Sequence, residues 1–179
     1  MLRFLYIIIF LLSISSGSEI MKKTELRIRE IFEEQVNLEH LFFNLTTESK
    51  KIQNTVKQKF FRNELNVWKV SLEDSTTNYA ILDNVKGKSM PITFLVIFDS
   101  NKQVMDASII KYREEPYGGE VKNINWLKQF INYSDTSNYK VGDGIDGISG
   151  ATISVHSISK GIHKLSLIID EVIATFNEK

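Results

Sequence analysis

The chain contains no cysteine. That absence excludes disulfides, a thiolate zinc site, iron–sulfur clusters and thioether attachment of haem, so any redox chemistry must rest on something other than sulfur. A net charge is missing too, since 22 Lys and Arg balance 22 Asp and Glu. Neutralising nucleic-acid phosphates needs a basic excess, so no nucleic-acid partner is expected. Histidine is scarce: His40, His156 and His163 show neither HxxxH nor HExxH spacing, and no metal site is expected from them. No GxSxG, GxGxxG or Walker-type glycine loop occurs. Only two prolines and nine glycines punctuate the 179 residues, and there is no repeat, linker or low-complexity tract.

Long hydrophobic runs are also lacking. The one apolar stretch near the start, Phe4 to Leu12, falls well short of the roughly 20 residues of a spanning helix. It follows Met1-Leu2-Arg3 and leads into the small, polar Ser13–Ser18, with Ser16 and Ser18 placed for a cut. A charged start, an apolar middle and a small-residue exit make residues 1–18 an expected signal peptide, with 19–179 as the mature domain. The expected location is therefore periplasmic, or the outer face of the cytoplasmic membrane, with retention of the segment as an anchor the alternative. With Arg3 removed, 21 basic residues face 22 acidic ones.

What remains is ordinary globular material, 42% hydrophobic and 25% charged, of a length suited to one domain. Residues 22–34 have helical spacing, while Val36, Leu38 and Phe42 alternate as on one side of a strand. Thr47 can cap a helix running to about Phe61, through Ile52, Val56 and Phe60. Strand patterns follow at Val67–Leu72, Tyr79–Val85, Ile92–Phe98 and Val104–Tyr112, with a hairpin turn at Ser100-Asn101-Lys102. The most apolar of these, Ile92–Phe98, is expected to lie centrally. A short helix is predicted over 123–132. A long one is predicted from about Val155 to Phe176, with Ile158, Ile162, Leu165, Ile169, Val172 and Phe176 in one stripe. The fold class is α+β: a single domain in which helices pack on an antiparallel sheet.

One segment stands out. Asp143 to Ser154 concentrates glycines and hydroxyls immediately before that last helix. It reads either as a turn with an N-cap at Thr152 or Ser154, or as an anion site. For the second reading, Gly150 and Ala151 leave the backbone open, and the helix start favours a phosphate. A threonine hydroxyl at that point could also be esterified by a phosphate.

Asp146-Gly147-Ile148-Ser149-Gly150-Ala151-Thr152 resembles the flavinylation motif of the FMN-binding domain family. That family includes the flavin-carrying subunits of sodium-translocating NADH:quinone reductase and of the Rnf electron-transport complex. Tyr112-Arg113-Glu114-Glu115-Pro116-Tyr117-Gly118-Gly119-Glu120 is similar to the family's Glu-Thr-Pro-Gly-x-Gly loop, with Glu115 where threonine is usual and Tyr117 where glycine is usual. It is closer to the pattern of stand-alone exported members. The helix around Trp126-Leu127-Lys128-Gln129-Phe130 fits the same resemblance, which covers roughly Lys69 to Glu171.

The resemblance implies covalent FMN on Thr152 through a phosphoester bond, made by a flavin transferase that uses FAD and magnesium. It implies that Ser149, Gly150 and Ala151 shape the phosphate turn and that Asp146 is read by the transferase or helps hold its magnesium. Glu114, Pro116, Tyr117, Gly118 and Gly119 would then lie beside the ring, with Tyr117 able to stack on it. The implied function is an exported electron carrier serving a redox protein or a membrane electron-transport complex. The alternatives are a small flavin reductase acting on a soluble acceptor and a flavin-free binding module of the same fold.

Overall fold

Alternating residues between Asn37 and Lys111 form five antiparallel strands laid side by side in chain order in the computed structural model, which describes residues 2–32, 35–113 and 119–178, residues 2–16 in backbone only. The strands are β1 (Asn37–Asn44), β2 (Glu64–Ser71), β3 (Thr77–Lys86), β4 (Pro91–Phe98) and β5 (Val104–Lys111). Each pairs with its sequence neighbour, for example His40 with Trp68, Trp68 with Ala80 and Leu82 with Leu95. The β4–β5 turn closes with the Asp99 N–H donating to the Gln103 carbonyl, and Lys102 takes a left-handed φ of 65°. β4 is interior, and Ile92 to Phe98 are all buried, but the middle strand is β3.

Period-two alternation sends successive side chains to opposite faces, and helices cover both. One face carries Trp68, Val70, Ala80, Leu82, Leu95, Ile97 and Ile110. It is covered by the later part of α1 (Leu2–Phe32), where Ile20, Met21, Ile28, Ile31 and Phe32 pack down. Arg27 anchors this helix to β5: its Nε donates to Ser108 Oγ at 2.9 Å and its guanidinium lies 3.6 Å from Asp106. Among the residues whose side chains are described, packing against the sheet begins at Ile20, and the helical residues predicted at 22–34 belong to a longer element, with Glu33 and Glu34 outside the described residues. No helix among the described residues is long and apolar enough to cross a membrane.

The other face carries Leu65, Val67, Ile81, Val85, Phe94, Val96 and Phe98 beneath α4 (Thr152–Ser166) and α5 (Ile169–Asn177). All six residues of the predicted stripe are buried here. The single long helix expected there is two, broken at Leu167-Ile168, which lets the second segment turn toward the β1 edge, where Thr46 donates to Glu171 at 2.6 Å. α2 (Thr47–Val56) is capped by Thr46 in a reciprocal capping box with Ser49 rather than by Thr47. It stops at Val56 because Lys57 adopts φ 53° and donates its N–H to Gln53, so Phe60 lies outside the helix expected to reach Phe61. Residues 123–132 form only a single turn, α3 (Ile124–Leu127), followed by a 3₁₀ turn at Lys128–Phe130. Phe42 is 56% exposed although it shares a face with Leu38; Leu41 and Phe43 enter the core on the other side.

One ion pair lies inside this core. Lys164 on α4 is fully buried, with its Nζ 2.7 Å from Asp83 Oδ2 on β3. The approach is off the hydrogen-bonding direction of that oxygen, so the contact is ionic, while Nζ donates properly to the Lys59 carbonyl at 2.9 Å and sits 4.0 Å over the Phe60 ring. Burial pushes the Asp83 carboxyl up and the Lys164 ammonium down, each opposed by the charge of the other. The pair ties α4 to β3 and to the segment after α2.

Candidate functional site

The described residues between Gly119 and α4 build a braced turn. Tyr133 donates its hydroxyl to the Gly144 carbonyl at 2.8 Å, and Trp126 Nε1 donates to the Asp146 carbonyl at 2.8 Å. The Asp146 N–H in turn donates to Gln129 Oε1 at 2.9 Å. Three side chains from 126–133 therefore hold the backbone of 144–146 in place. Gly144 is required here, since a Cβ would sit 2.0 Å from the Asn138 carbonyl oxygen. Ile145 is buried and Ile148 packs against the core, leaving Asp146 and Ser149 on the surface.

Gly150 then turns the chain with φ 81°, a conformation that favours glycine, and open space surrounds its Cα. The Ala151 N–H closes the turn by donating to the Ile148 carbonyl at 3.1 Å. The Ala151 methyl is buried, so this residue packs the turn down rather than leaving its backbone open as its small size suggested. Ala151 is also the N-cap of α4, and no side chain bonds to the first turn. Neither Thr152 nor Ser154 takes the capping role open to them on sequence; Thr152 is the first helical residue and Ser154 is buried. Val155 is the first residue to donate back along the helix, to the Ala151 carbonyl at 2.9 Å, so the amides of Thr152, Ile153 and Ser154 have no intrahelical acceptor.

Thr152 is thus an exposed hydroxyl on the first turn of a 15-residue helix. The unpaired amides and the helix dipole place positive potential there, which favours a phosphate dianion. The donor set suits a phosphate ester: a reachable Oγ, a glycine turn with open space around Gly150 among the described residues, and amides without an intrahelical acceptor. α4 itself is held rigidly. Tyr139 stacks on His163 with centroids 4.5 Å apart and bonds Ser166 at 2.8 Å, and Ser159 donates to the Tyr139 carbonyl at 2.6 Å.

Of the second motif, Glu114, Pro116, Tyr117 and Gly118 lie outside the described residues, as does Glu115. Gly119 opens a 3₁₀ turn (Gly119–Lys122) whose Val121 is buried, and Lys122 sits 5.4 Å over the Tyr112 ring. On the other side of the loop, Arg113 donates to the Pro91 carbonyl and to Thr93 Oγ1, and burial lowers its guanidinium. Gln129 and Tyr133 were not visible as site residues in the sequence. Their signal was weak: a polar residue and a tyrosine in a short aromatic-rich segment, whose bonds go to backbone atoms that no motif marks. A cavity of about 270 Å³ bounded by Gly17, Phe42, Asn66 and Arg113 lies elsewhere, against α1.

No curated protein matches the chain. Residues 87–166, from the β3–β4 turn to the end of α4, match the model of the FMN-binding domain family.

Proposed function

We propose that this protein is an exported electron carrier with FMN esterified through its phosphate to Thr152 Oγ. The observation that carries the reading is the position of Thr152, exposed on an uncapped helix start directly after the Gly150 turn. FMN, when bound, supplies both one- and two-electron chemistry. The chain's own residues do the rest. Thr152 supplies the ester oxygen. The amides of Ile153 and Ser154 face the phosphate charge, and Ser149 and Gly150 keep the approach free of bulk. Trp126, Gln129 and Tyr133 fix the backbone of the turn so that a flavin transferase, consuming FAD with magnesium, meets one geometry. Asp146 presents an exposed carboxylate to that transferase. Glu114, Pro116, Tyr117, Gly118 and Gly119 are proposed to flank the ring.

Covalent attachment suits a compartment where a dissociated flavin would be lost, which agrees with the leader-like residues 1–18. A cut before Ile20 would leave the residues of α1 that are described as packing on the sheet, Ile20, Met21, Ile28, Ile31 and Phe32. The electron partner is proposed to be a membrane complex or another extracytoplasmic redox protein.

The test is intact mass of the protein produced with and without a flavin transferase, beside Thr152→Ala. A gain of one FMN less one water, absent in the alanine variant, is the expected result. No gain in the presence of an active transferase refutes the ester and leaves a non-covalent flavin binder or a flavin-free module. Turnover with a soluble donor and acceptor and no protein partner would instead make the protein a reductase.

A further inference from the structure

We propose that the Tyr112 hydroxyl is a positioning group for the flavin, donating a hydrogen bond to an acceptor on the polar edge of the isoalloxazine ring. The proposal rests on the FMN reading above but not on the ester to Thr152. Buried side-chain polar atoms almost always have a partner, so one without a partner calls for a cause. Among the described residues such atoms are Asp83 Oδ2 and Tyr112 Oη. Asp83 faces the Lys164 ammonium at 2.7 Å, so its charge is answered. Tyr112 as a whole is half-buried, yet its hydroxyl oxygen is closed off from water and has no hydrogen-bond partner among the described residues.

The surroundings of this hydroxyl suit a flavin ring. Tyr112 follows β5 directly and packs against the core on the face covered by α4. The 3₁₀ turn Gly119–Lys122 and α3 also pack on β5. Lys122 holds its Nζ 5.4 Å from the centre of the Tyr112 ring. Gly119 has no side chain where a Cβ would come 3.8 Å from Tyr112 Cε1. The same short segment carries Trp126, whose bond to the Asp146 carbonyl fixes the turn before Thr152. Ile145 and Ala151 of that turn enter the core cluster against which Tyr112 packs. One segment therefore links the orphaned hydroxyl to the phosphate turn.

The two parts of FMN ask for different donors. The phosphate is charged and is matched by the amides at the start of α4. The ring is flat and neutral, with carbonyl oxygens and unprotonated nitrogens along its pyrimidine edge. A phenol set among apolar side chains is the kind of isolated, fixed donor that orients such a ligand. Because the hydroxyl has no bond to give up and no water to shed, its bond to the ring is gained without a compensating loss. It also selects one orientation, since a ring turned with its dimethyl edge toward Tyr112 would leave the hydroxyl unpaired.

Tyr112→Phe keeps the ring and its packing and removes only the oxygen. Parent and variant are unfolded in urea with and without FMN. The flavin is loaded by a transferase and checked by intact mass, or added free and in excess where the mass shows no ester. Without FMN, the variant is expected to unfold at the same urea concentration as the parent or a higher one, since the hydroxyl has no bond to lose. With FMN, its midpoint is expected to fall below the parent's, and the visible absorption bands of its flavin to shift. A variant already less stable than the parent without FMN overturns the proposal, because the hydroxyl is then bonded within the protein. Equal midpoints with FMN and identical flavin spectra overturn it too. A missing mass gain refutes the ester alone, since the comparison then runs on free FMN. A parent that takes up neither form of FMN overturns the FMN reading and this proposal together.

Discussion

The sharpest quantitative test concerns the buried ion pair. Lys164→Met removes the ammonium and leaves Asp83 with no counter-charge in a site closed to water. Breaking such a pair from one side costs about 3–5 kcal/mol. The carboxyl can escape by taking a proton. At pH 7, protonating a group with an ordinary value near 3.9 costs about 4 kcal/mol, and at pH 5 about 1.5 kcal/mol. The Lys59 carbonyl also loses its donor, worth about 1 kcal/mol. The variant should therefore lose about 4–5 kcal/mol at pH 7 and about 2–3 kcal/mol at pH 5 relative to the parent. The sign follows from the raised value of Asp83 in the folded variant. A folded group that holds its proton longer than the unfolded one contributes stability below the unfolded value, and this is lost as pH rises. Urea unfolding followed by fluorescence reports on both layers, since Trp68 lies under α1 and Trp126 on the α4 side. Replacing both partners, as Asp83→Leu with Lys164→Met, should recover most of the loss, because the uncompensated charge is gone. A loss below about 1 kcal/mol, a loss unchanged between pH 5 and 7, or a double variant no better than the single one would refute the reasoning.

Other perturbations read other parts of the molecule. Trp126→Phe removes the donor to the Asp146 carbonyl and should cost about 1 kcal/mol, with slower transferase loading of Thr152 measured by mass against time. Gly161→Ala would bring a Cβ to 2.6 Å from Val85 Cγ1 and 2.9 Å from Phe94 Cζ. Overpacking of about 1–3 kcal/mol should outweigh the roughly 1 kcal/mol gained in helix propensity, so the urea midpoint falls. Burial lowers the His163 imidazole, so the unfolded chain takes up a proton near pH 6.5 before the folded one does. Stability should accordingly fall as pH drops from 6.5 toward the folded value, and His163→Phe should flatten that slope in thermal melts.

The strands were legible in the sequence because β-branched runs between clear turns carry their own period, and each lies within a few residues of its expected bounds. Helix ends were less so. The stripe from Ile158 to Phe176 continues smoothly across Leu167-Ile168, and only the backbone reveals that two helices share it. Phe60 fell on the expected helical period, yet the left-handed turn at Lys57 intervened, a conformation that lysine does not advertise. At the site, the glycines and hydroxyls of 143–154 announced a special turn before a helix. The burial of Ala151 and the bracing by Gln129 and Tyr133 were invisible, since they depend on which neighbours the fold supplies.

The order of the strands bears on how the molecule comes to exist. Every strand pairs with its predecessor; the β2–β3, β3–β4 and β4–β5 connections are short turns, while α2 lies within the β1–β2 connection. The layer that cannot form early is α4, whose contacts reach back to β3 and, through Lys164, to Lys59. Because α4 packs on β3 and reaches Lys59, an enzyme that made the proposed ester would meet Thr152 at a helix start only on an assembled chain, and a misassembled copy would stay colourless.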